Sequence, residues 1–199
     1  MSAKEIQHQL NLKDYPSVWL MMMKYRDIMG QRDLKYKLSK YLEMDIAFFP
    51  TSKTQVTNGI KNTNQKQETI MPIIKKVVEY DSNAVTDGGK GFLRLNELLR
   101  CHDIHMETEE GTANVVSKLL PWVHIVTGEC RSGIEAIHRN IDERFLQLYL
   151  NEYCWKFNRR FFRDSNVPRY DLFDHLIKIT AQYTSDIKME GLRRCQKWL

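Results

Sequence analysis

Two aspartates stand where apolar runs of the chain meet polar sequence, and carboxylates in that setting can bind metal ions. Asp45 lies in the run 41–49, and Asp87 ends the run 83–87 before Gly88 and Gly89. Because an unpaired charge is costly in a buried strand, we expect Asp45 to be paired, bound to a metal or at the edge of a sheet. Asp87 can equally serve as a simple turn residue, since Asp-Gly is a common turn pair.

A histidine, a glutamate and an arginine on one later helical stretch could complete such a site. His124 and Arg131 are seven residues apart, which places them within about 20° of each other around a helix. Glu129 falls on the flank of the apolar stripe, on roughly the opposite side. Two acids at strand ends plus a third ligand on a later helix are the parts of a two-metal phosphoryl-transfer site. The alternative is a solvated histidine and a surface arginine, and the residues alone leave both open.

Alternating helices and strands must position these residues. Hydrophobic periodicity and turn signals predict helices at 2–10, 16–29, 68–80, 90–100, 114–138, 141–162 and 170–184, and strands at 38–49, 83–87 and 104–106. Ser2 and Glu5 fit a capping box for the first helix, and Gly30 is the expected end of the second. Residues 51–67 are polar and lack a period, which is typical of a loop or linker.

The composition favours an ordered protein with a mildly basic surface. The chain has 199 residues, 42% of them hydrophobic, and a net charge of +5. That suffices for one domain, or a small head plus one domain, and is compatible with a polyanionic partner. Its four cysteines include no CxxC pair, which argues against a structural zinc site and a disulfide framework. No apolar run approaches the ~20 residues of a membrane span, so we expect a soluble cytoplasmic protein.

The first two predicted helices surround a tight turn at 11–14, which is the pattern of a helix-turn-helix. In a DNA-binding head of this kind, we expect Lys24 and Arg26 of the second helix to contact DNA. A plain helical hairpin has the same pattern, so simple packing is the alternative.

Three stretches carry the most distinctive motifs. They are residues 35–49 with Glu43-Met44-Asp45, then Val85-Thr86-Asp87-Gly88, and residues 120–160 with Trp122-Val123-His124 and Phe157-Asn158-Arg159-Arg160. Together they resemble the DDE transposases of bacterial insertion sequences, in the group with a zinc-ribbon and helix-turn-helix head before a ribonuclease-H-like catalytic domain. The resemblance covers nearly the whole chain except residues 50–67 and the tail.

The resemblance implies a helix-rich α/β fold. It places a helix-turn-helix head at 1–34, a ribonuclease-H-like transposase domain at 35–185 and a basic tail at 186–199. The group's zinc ribbon is missing from this sequence. A ribonuclease-H-like fold has two further strands between its first acid and the helix before its second, yet Asp45 and Asp87 are only 42 residues apart. We therefore predict an internal deletion at the polar linker 50–67, with central strands missing.

The resemblance also implies a set of functional residues. Asp45 and Asp87 become the first two metal-binding acids. The third is His124 or Glu129, and His124 is favoured because a basic residue seven positions later matches Arg131. Two Mg²⁺ or Mn²⁺ ions and no zinc are the expected cofactors. Arg131 would then steady phosphate charge.

The expected partner is double-stranded DNA, both transposon ends and target, and the expected assembly is a homo-oligomer. Arg159 and Arg160 would contact the DNA backbone. The favoured function is metal-dependent DNA cleavage and strand transfer. The alternatives are a catalytically inactive DNA-binding remnant of a transposase and an unrelated helical interaction protein.

Overall fold

A computed structural model describes residues 2–49, 51, 67–104, 120–138, 141–160 and 172–190. Its helices are α1 (Ala3–Gln9), α2 (Tyr15–Asp33), α3 (Gln67–Val77), α4 (Pro121–Ile137), α5 (Leu146–Asn158) and α6 (Leu172–Thr180), and its strands are β1 (Tyr41–Met44), β2 (Asn83–Thr86) and β3 (Cys101–Ile104). The chain forms two compact units. The first consists of residues 2–35, residue 51 and the described residues from 133 onward, and the second consists of residues 36–49 and the described residues of 67–132.

The second unit is built on a parallel sheet of three strands in the order β1-β2-β3. Met44 pairs with Thr86, and Thr86 pairs in turn with Ile104. Parallel neighbours need a crossover connection, and α3 lies in the crossover from β1 to β2. The core of this unit is formed by Ile74, Val78, Ala84, Phe92, Leu95 and Leu99. A helix-rich α/β arrangement is thus observed, as predicted.

β1 has one apolar and one acidic face. Leu42, Met44 and Ile46 pack against the core, so the alternation of an extended chain turns Glu43 and Asp45 to the opposite face. The predicted strand 38–49 is longer than the observed one, because its partner β2 ends at Thr86. There Gly88 takes a φ of 76° and turns the chain away, which leaves residues 45–49 without a ladder partner.

The predicted helix at 90–100 is wrong. Two short 3₁₀ turns, Lys90–Phe92 and Leu95–Glu97, stand in its place. The glycines that precede and enter this segment are poor helix formers. The apolar residues of the two turns, Phe92 and Leu95, are nevertheless buried in the core of this unit.

The first unit is a set of packed helices in which α2 contacts α1, α5 and α6. Ser2 caps α1 as predicted, since its hydroxyl oxygen accepts a hydrogen bond from Glu5 N at 3.1 Å. Asp14 caps α2 in the same way through Ser17 N at 3.0 Å. The structure therefore differs from the prediction of a separate head at 1–34, because α2 packs against helices from the far end of the chain. None of the described helices is long and apolar enough to cross a membrane.

Gly30 does not end α2, and our prediction that it does is wrong. The helix continues to Asp33, and Gly30 is buried against α5. A Cβ at this position would lie 2.1 Å from Nδ2 of Asn151. Glycine is therefore needed here for close helix packing and not as a helix stop.

Candidate active site at the carboxyl ends of the parallel strands

Asp45 and Asp87 lie side by side at one edge of the sheet. Each is the residue that follows a paired strand position, Met44 in β1 and Thr86 in β2. Because the two strands are parallel, their carboxyl ends meet at the same edge. The two aspartates therefore follow neighbouring strand positions at this edge of the sheet.

Both aspartates use one carboxylate oxygen to fix the local backbone. Oδ1 of Asp45 accepts a hydrogen bond from Ile46 N at 2.7 Å. Oδ1 of Asp87 accepts one from Gly89 N at 2.9 Å. Asp87 is therefore a turn residue, which was one of its two interpretations. The turn does not engage Oδ2, and that oxygen can still act as a ligand.

His124 is the third predicted residue that reaches this edge. Its Nδ1 lies 3.8 Å from Oδ2 of Asp45, which is beyond hydrogen-bond distance but within that of a charge contact. Nε2 of His124 is buried and has no hydrogen-bond partner among the described residues. A buried imidazole nitrogen without a partner is a usable position for a ligand.

Glu43 places the helix that carries His124, and sequence reasoning did not single it out. Its Oε2 accepts a hydrogen bond from Val123 N at 2.9 Å, across 80 residues of sequence. The carboxylate thus satisfies one of the free N–H groups in the first turn of α4. The available signal was the Glu43-Met44-Asp45 spacing, since two acids two residues apart share one face of a strand.

Arg131 binds the polypeptide near the site. Its Nη2 donates a hydrogen bond to the carbonyl oxygen of Phe48 at 2.8 Å, and its guanidinium lies 6.0 Å from the centre of the Phe49 ring. The contact fixes the extended segment that follows Asp45. The observed role of Arg131 is therefore structural, and phosphate binding by this side chain stays a prediction.

α4 buries only part of the apolar stripe that its periodicity predicts. Cys130 of that stripe is buried, whereas Trp122 is 64% exposed and Ile137 is 47% exposed. His124 and Arg131 instead approach β1 and the segment after it. Glu129, about 140° from His124 around the helix, is exposed on another side. Of the two candidates for a third ligand, the structure brings only His124 to Asp45.

Two of the predicted DNA contacts are buried in the first unit. Arg26 is 2% exposed, and its Nε lies 2.7 Å from Oε2 of Glu152. Arg159 pairs with Oδ1 of Asp33 at 2.7 Å and is 9% exposed. The expectation that these arginines contact DNA does not fit this burial, because a guanidinium group inside a helix bundle cannot reach a phosphate. The sequence shows the charge of a long basic side chain but not its burial.

The remaining basic candidates are more accessible. Arg160 is exposed at the end of α5, where it packs on the Phe157 ring. Lys24 is half-buried on α2. Lys90, which the sequence analysis passed over, is exposed three residues after Asp87, at the start of a 3₁₀ turn.

The two aspartates and His124 suit a hard divalent cation by donor type. Carboxylate oxygens are the ligands that Mg²⁺ and Mn²⁺ prefer, and imidazole can accompany them. Within the described ranges, no three His, Cys, Asp or Glu side chains lie close enough to hold one ion between them.

A parallel sheet with acids at its carboxyl edge is compatible with a DDE-type transposase, a class of enzymes that cut and join DNA. The chain belongs to the ISXO2-like transposase domain family, whose model matches residues 50–158, more than half of the chain. The match includes Asp87, His124, Glu129 and Arg131, and it begins five residues after Asp45. No curated protein and no solved structure matches the chain.

Proposed function

We propose that the chain is a metal-dependent transposase whose active site consists of Asp45, Asp87 and His124. The observation that carries this proposal is the placement of both aspartates at adjacent ends of parallel strands, with Nδ1 of His124 3.8 Å from Asp45. The family match supports the same class of reaction. The arrangement agrees with a ribonuclease-H-like core, in which we place β1 and β2 as the acid-bearing strands.

Each residue has a distinct proposed role. Asp45 and Asp87 present carboxylate oxygens to two divalent ions, Mg²⁺ or Mn²⁺, and His124 presents an imidazole nitrogen. When bound, such a pair of ions supplies the Lewis acidity that activates a water or a 3′-hydroxyl against a phosphodiester. The turn at Gly88 and Gly89 holds Asp87 at the strand end. Gly89 also leaves the carboxylate room, because a Cβ there would lie 3.1 Å from Oδ1 of Asp87.

We favour His124 over Glu129 as the third ligand on geometry. The face of α4 that approaches Asp45 carries His124, whereas Glu129 is exposed about 140° around the helix. The site therefore combines two carboxylates with one imidazole.

The proposed substrate is double-stranded DNA, both at transposon ends and at a target. A net charge of +5 favours a polyanionic partner. Exposed Lys90 and Arg160, with Lys24, are the cations that we propose for the phosphate contacts. We also propose, from the resemblance alone, that the chain assembles as a homo-oligomer on paired transposon ends. The same basis supports an origin in a bacterial insertion sequence. The proposed helix-turn-helix role of α1 and α2 has the same basis.

A cleavage assay tests the catalytic assignment. The purified chain is incubated with a linear duplex that contains the DNA flanking its own coding sequence, with Mg²⁺ or Mn²⁺, and nicked and joined products are measured. We expect Asp45→Asn, Asp87→Asn and His124→Ala each to lower the rate at least about 100-fold. Glu129→Gln should stay within about threefold of the unmodified chain.

A matched control uses Asp81→Asn, a change of an exposed aspartate just before β2 in the same unit. It should leave the rate unchanged. Full activity in both Asp45→Asn and Asp87→Asn would overturn the proposed site. A large loss in Glu129→Gln with none in His124→Ala would move the third position to Glu129.

A second candidate function is a catalytically inactive DNA-binding remnant. It is favoured by one observation, that no three donors in the described part of the chain already share a metal-sized space. This candidate predicts salt-sensitive binding to the same duplex, with no cleavage in either metal. Metal-dependent nicking that Asp45→Asn abolishes would exclude it.

A further inference from the structure

We infer that Glu43 is a positioning residue of the active site, which holds His124 beside Asp45 by binding the amino end of α4. The inference rests on the proposed function. Its primary observation is the 2.9 Å hydrogen bond from Val123 N to Oε2 of Glu43. Neither the family match nor the acid pattern assigns Glu43 a role, since the match begins at residue 50.

A carboxylate is the group best suited to this position. The first N–H groups of a helix have no partner within the helix and carry partial positive charge. α4 begins at Pro121, which has no N–H of its own, so Val123 is among the first residues that can donate. A side chain that holds Val123 N also fixes the backbone of the next residue, His124.

The strand provides the matching reference. Leu42, Met44 and Ile46 are partly buried and pack against the core of the second unit, which ties β1 to that core through the face opposite Glu43 and Asp45. Glu43 and Asp45 lie two residues apart on the other face, about 7 Å along an extended chain. One acid therefore anchors the helix and the next faces the histidine.

A second anchor lies on the far side of this contact. Arg131 of α4 donates to the carbonyl oxygen of Phe48 at 2.8 Å. One anchor therefore lies on each side of the pair Asp45 and His124. Along the strand direction these anchors are Glu43 and Phe48, and along the helix they are Val123 and Arg131. Two anchors set both the translation and the rotation of α4, and rotation decides which of its side chains meets Asp45.

Three variants test the inference. Glu43→Ala removes the acceptor, Glu43→Gln keeps an oxygen acceptor without the charge, and Glu97→Ala is a matched control. Glu97 is an exposed glutamate of the same unit that pairs with Arg94, three residues earlier in the chain. The first readout is amide hydrogen exchange in the first turn of α4. Exchange should be about tenfold faster in Glu43→Ala and close to normal in the other two.

The second readout is the Mn²⁺ concentration that gives half-maximal cleavage, together with Mn²⁺-induced broadening of the His124 ring signals. Loss of a residue that orients a ligand typically weakens metal binding about 10- to 100-fold. We expect a rise of that size in Glu43→Ala, much of it restored in Glu43→Gln. In a His124→Ala background, Glu43→Ala should add little, because its effect passes through the histidine.

The outcomes separate this inference from the proposed function. If the unmodified chain binds Mn²⁺ and cleaves DNA while Glu43→Ala shows an unchanged Mn²⁺ dependence, the inference is wrong and the function stands. If the unmodified chain neither binds Mn²⁺ nor cleaves, the proposed function fails, and faster exchange in Glu43→Ala still identifies the anchor of α4. Unchanged exchange in Glu43→Ala contradicts the anchor itself.

Discussion

The imidazole of His138 packs against the ring of Tyr149, with centroids 4.6 Å apart. Burial lowers the pKa of His138 to about 4, and the nearby Arg26 guanidinium acts in the same direction. The ring is thus neutral in the folded protein at pH values where a free histidine is charged. The stability of the first unit should therefore depend on pH through His138, because protonation of this ring is opposed by its burial.

This coupling predicts a loss of stability in acid. Between pH 6.5 and about 4, the unfolded chain binds a proton at this imidazole and the folded chain does not. Stability is therefore complete above pH 6.5 and falls as the pH drops toward the folded pKa. The full shift would be worth about 3 kcal/mol, and partial exposure of the ring reduces our expectation to about 1–2 kcal/mol.

Urea unfolding between pH 7.5 and 4.5 measures this effect. His138→Phe keeps an aromatic ring against Tyr149 and removes the titration, so its free energy of unfolding should fall less steeply with acid. Carboxylates distant from His138 titrate in both proteins, so their contribution cancels in the comparison. His8→Gln, at an exposed position on α1, should leave the slope unchanged. Parallel curves for His138→Phe and the unmodified chain would rule out the proposed coupling.

At the scale of elements, the contact between α2 and α5 organises the first unit. Arg26 is buried between them with Glu152, and its guanidinium lies 4.1 Å from the centre of the Tyr149 ring. A buried ion pair contributes little over an apolar contact but is costly to break. One turn further along α2, Gly30 allows the close approach of Asn151. The packing of α2 on α5 thus depends on the ion pair between Arg26 and Glu152 and on the lack of a Cβ at Gly30.

Gly30→Ala should destabilise the protein although alanine is the better helix former. The new Cβ would meet Nδ2 and Cγ of Asn151 at 2.1 and 2.5 Å. Asn151 must rotate and give up the hydrogen bond from Gln147 at 2.9 Å. Overpacking costs about 1–3 kcal/mol, and helix propensity returns about 1 kcal/mol. We expect a net loss of up to about 2 kcal/mol in denaturant unfolding.

The chain contains its own control for this substitution. A Cβ at Gly128 in α4 meets nothing within 4 Å, so Gly128→Ala should stabilise by up to about 1 kcal/mol. Asn151→Ala combined with Gly30→Ala should cost less than the sum of the two single changes, because the overlap is removed. Equal changes in the free energy of unfolding for Gly30→Ala and Gly128→Ala would show that the close approach of Asn151 to Gly30 does not affect stability.

At the scale of the whole molecule, the sequence predicted local placement well and packing partners poorly. The strand end at Asp87 was expected from an apolar run before two glycines, whereas the predicted strand 38–49 extends beyond Asp45. The register of β1 and β2 makes Asp45 and Asp87 the residues that follow a strand pair, Met44 and Thr86. The rotation of α4 was predicted only in part: hydrophobic periodicity places Trp122 and Cys130 inside, and Cys130 is buried whereas Trp122 is exposed. The bond from Val123 N to Glu43, across 80 residues, helps to set that rotation, and no local pattern contains it.

The same limit applies to the basic residues. A sequence shows that Arg26 and Arg159 are charged, but it does not show that Glu152 and Asp33 lie opposite them. These partners come from distant helices, so burial of the arginines depends on the tertiary fold. The linker prediction at 50–67 and most of the basic tail at 186–199 lie outside the described residues, apart from Thr51, Gln67 and residues 186–190.

Burial of these two arginines changes which cations should govern DNA binding by the whole molecule. Each phosphate contact releases about 0.9 counterion from duplex DNA, so the logarithm of the binding constant should fall linearly with the logarithm of salt concentration. We expect Lys90→Ala and Arg160→Ala each to lower the slope by about one unit. Their effect should be the same on unrelated sequences, because phosphate contacts carry no sequence information.

Fluorescence anisotropy with a 30-base-pair duplex, at about 50 to 200 mM salt, measures these slopes. Lys178→Ala, at an exposed position on α6, serves as the matched control and should leave the slope unchanged. Arg159→Lys tests the buried arginines. It keeps the charge but loses the paired geometry with Asp33, so it should lower the free energy of unfolding and leave the salt slope unchanged. A slope that responds to Lys178→Ala as strongly as to Lys90→Ala would mean that DNA binding follows net charge alone and has no site near Asp87.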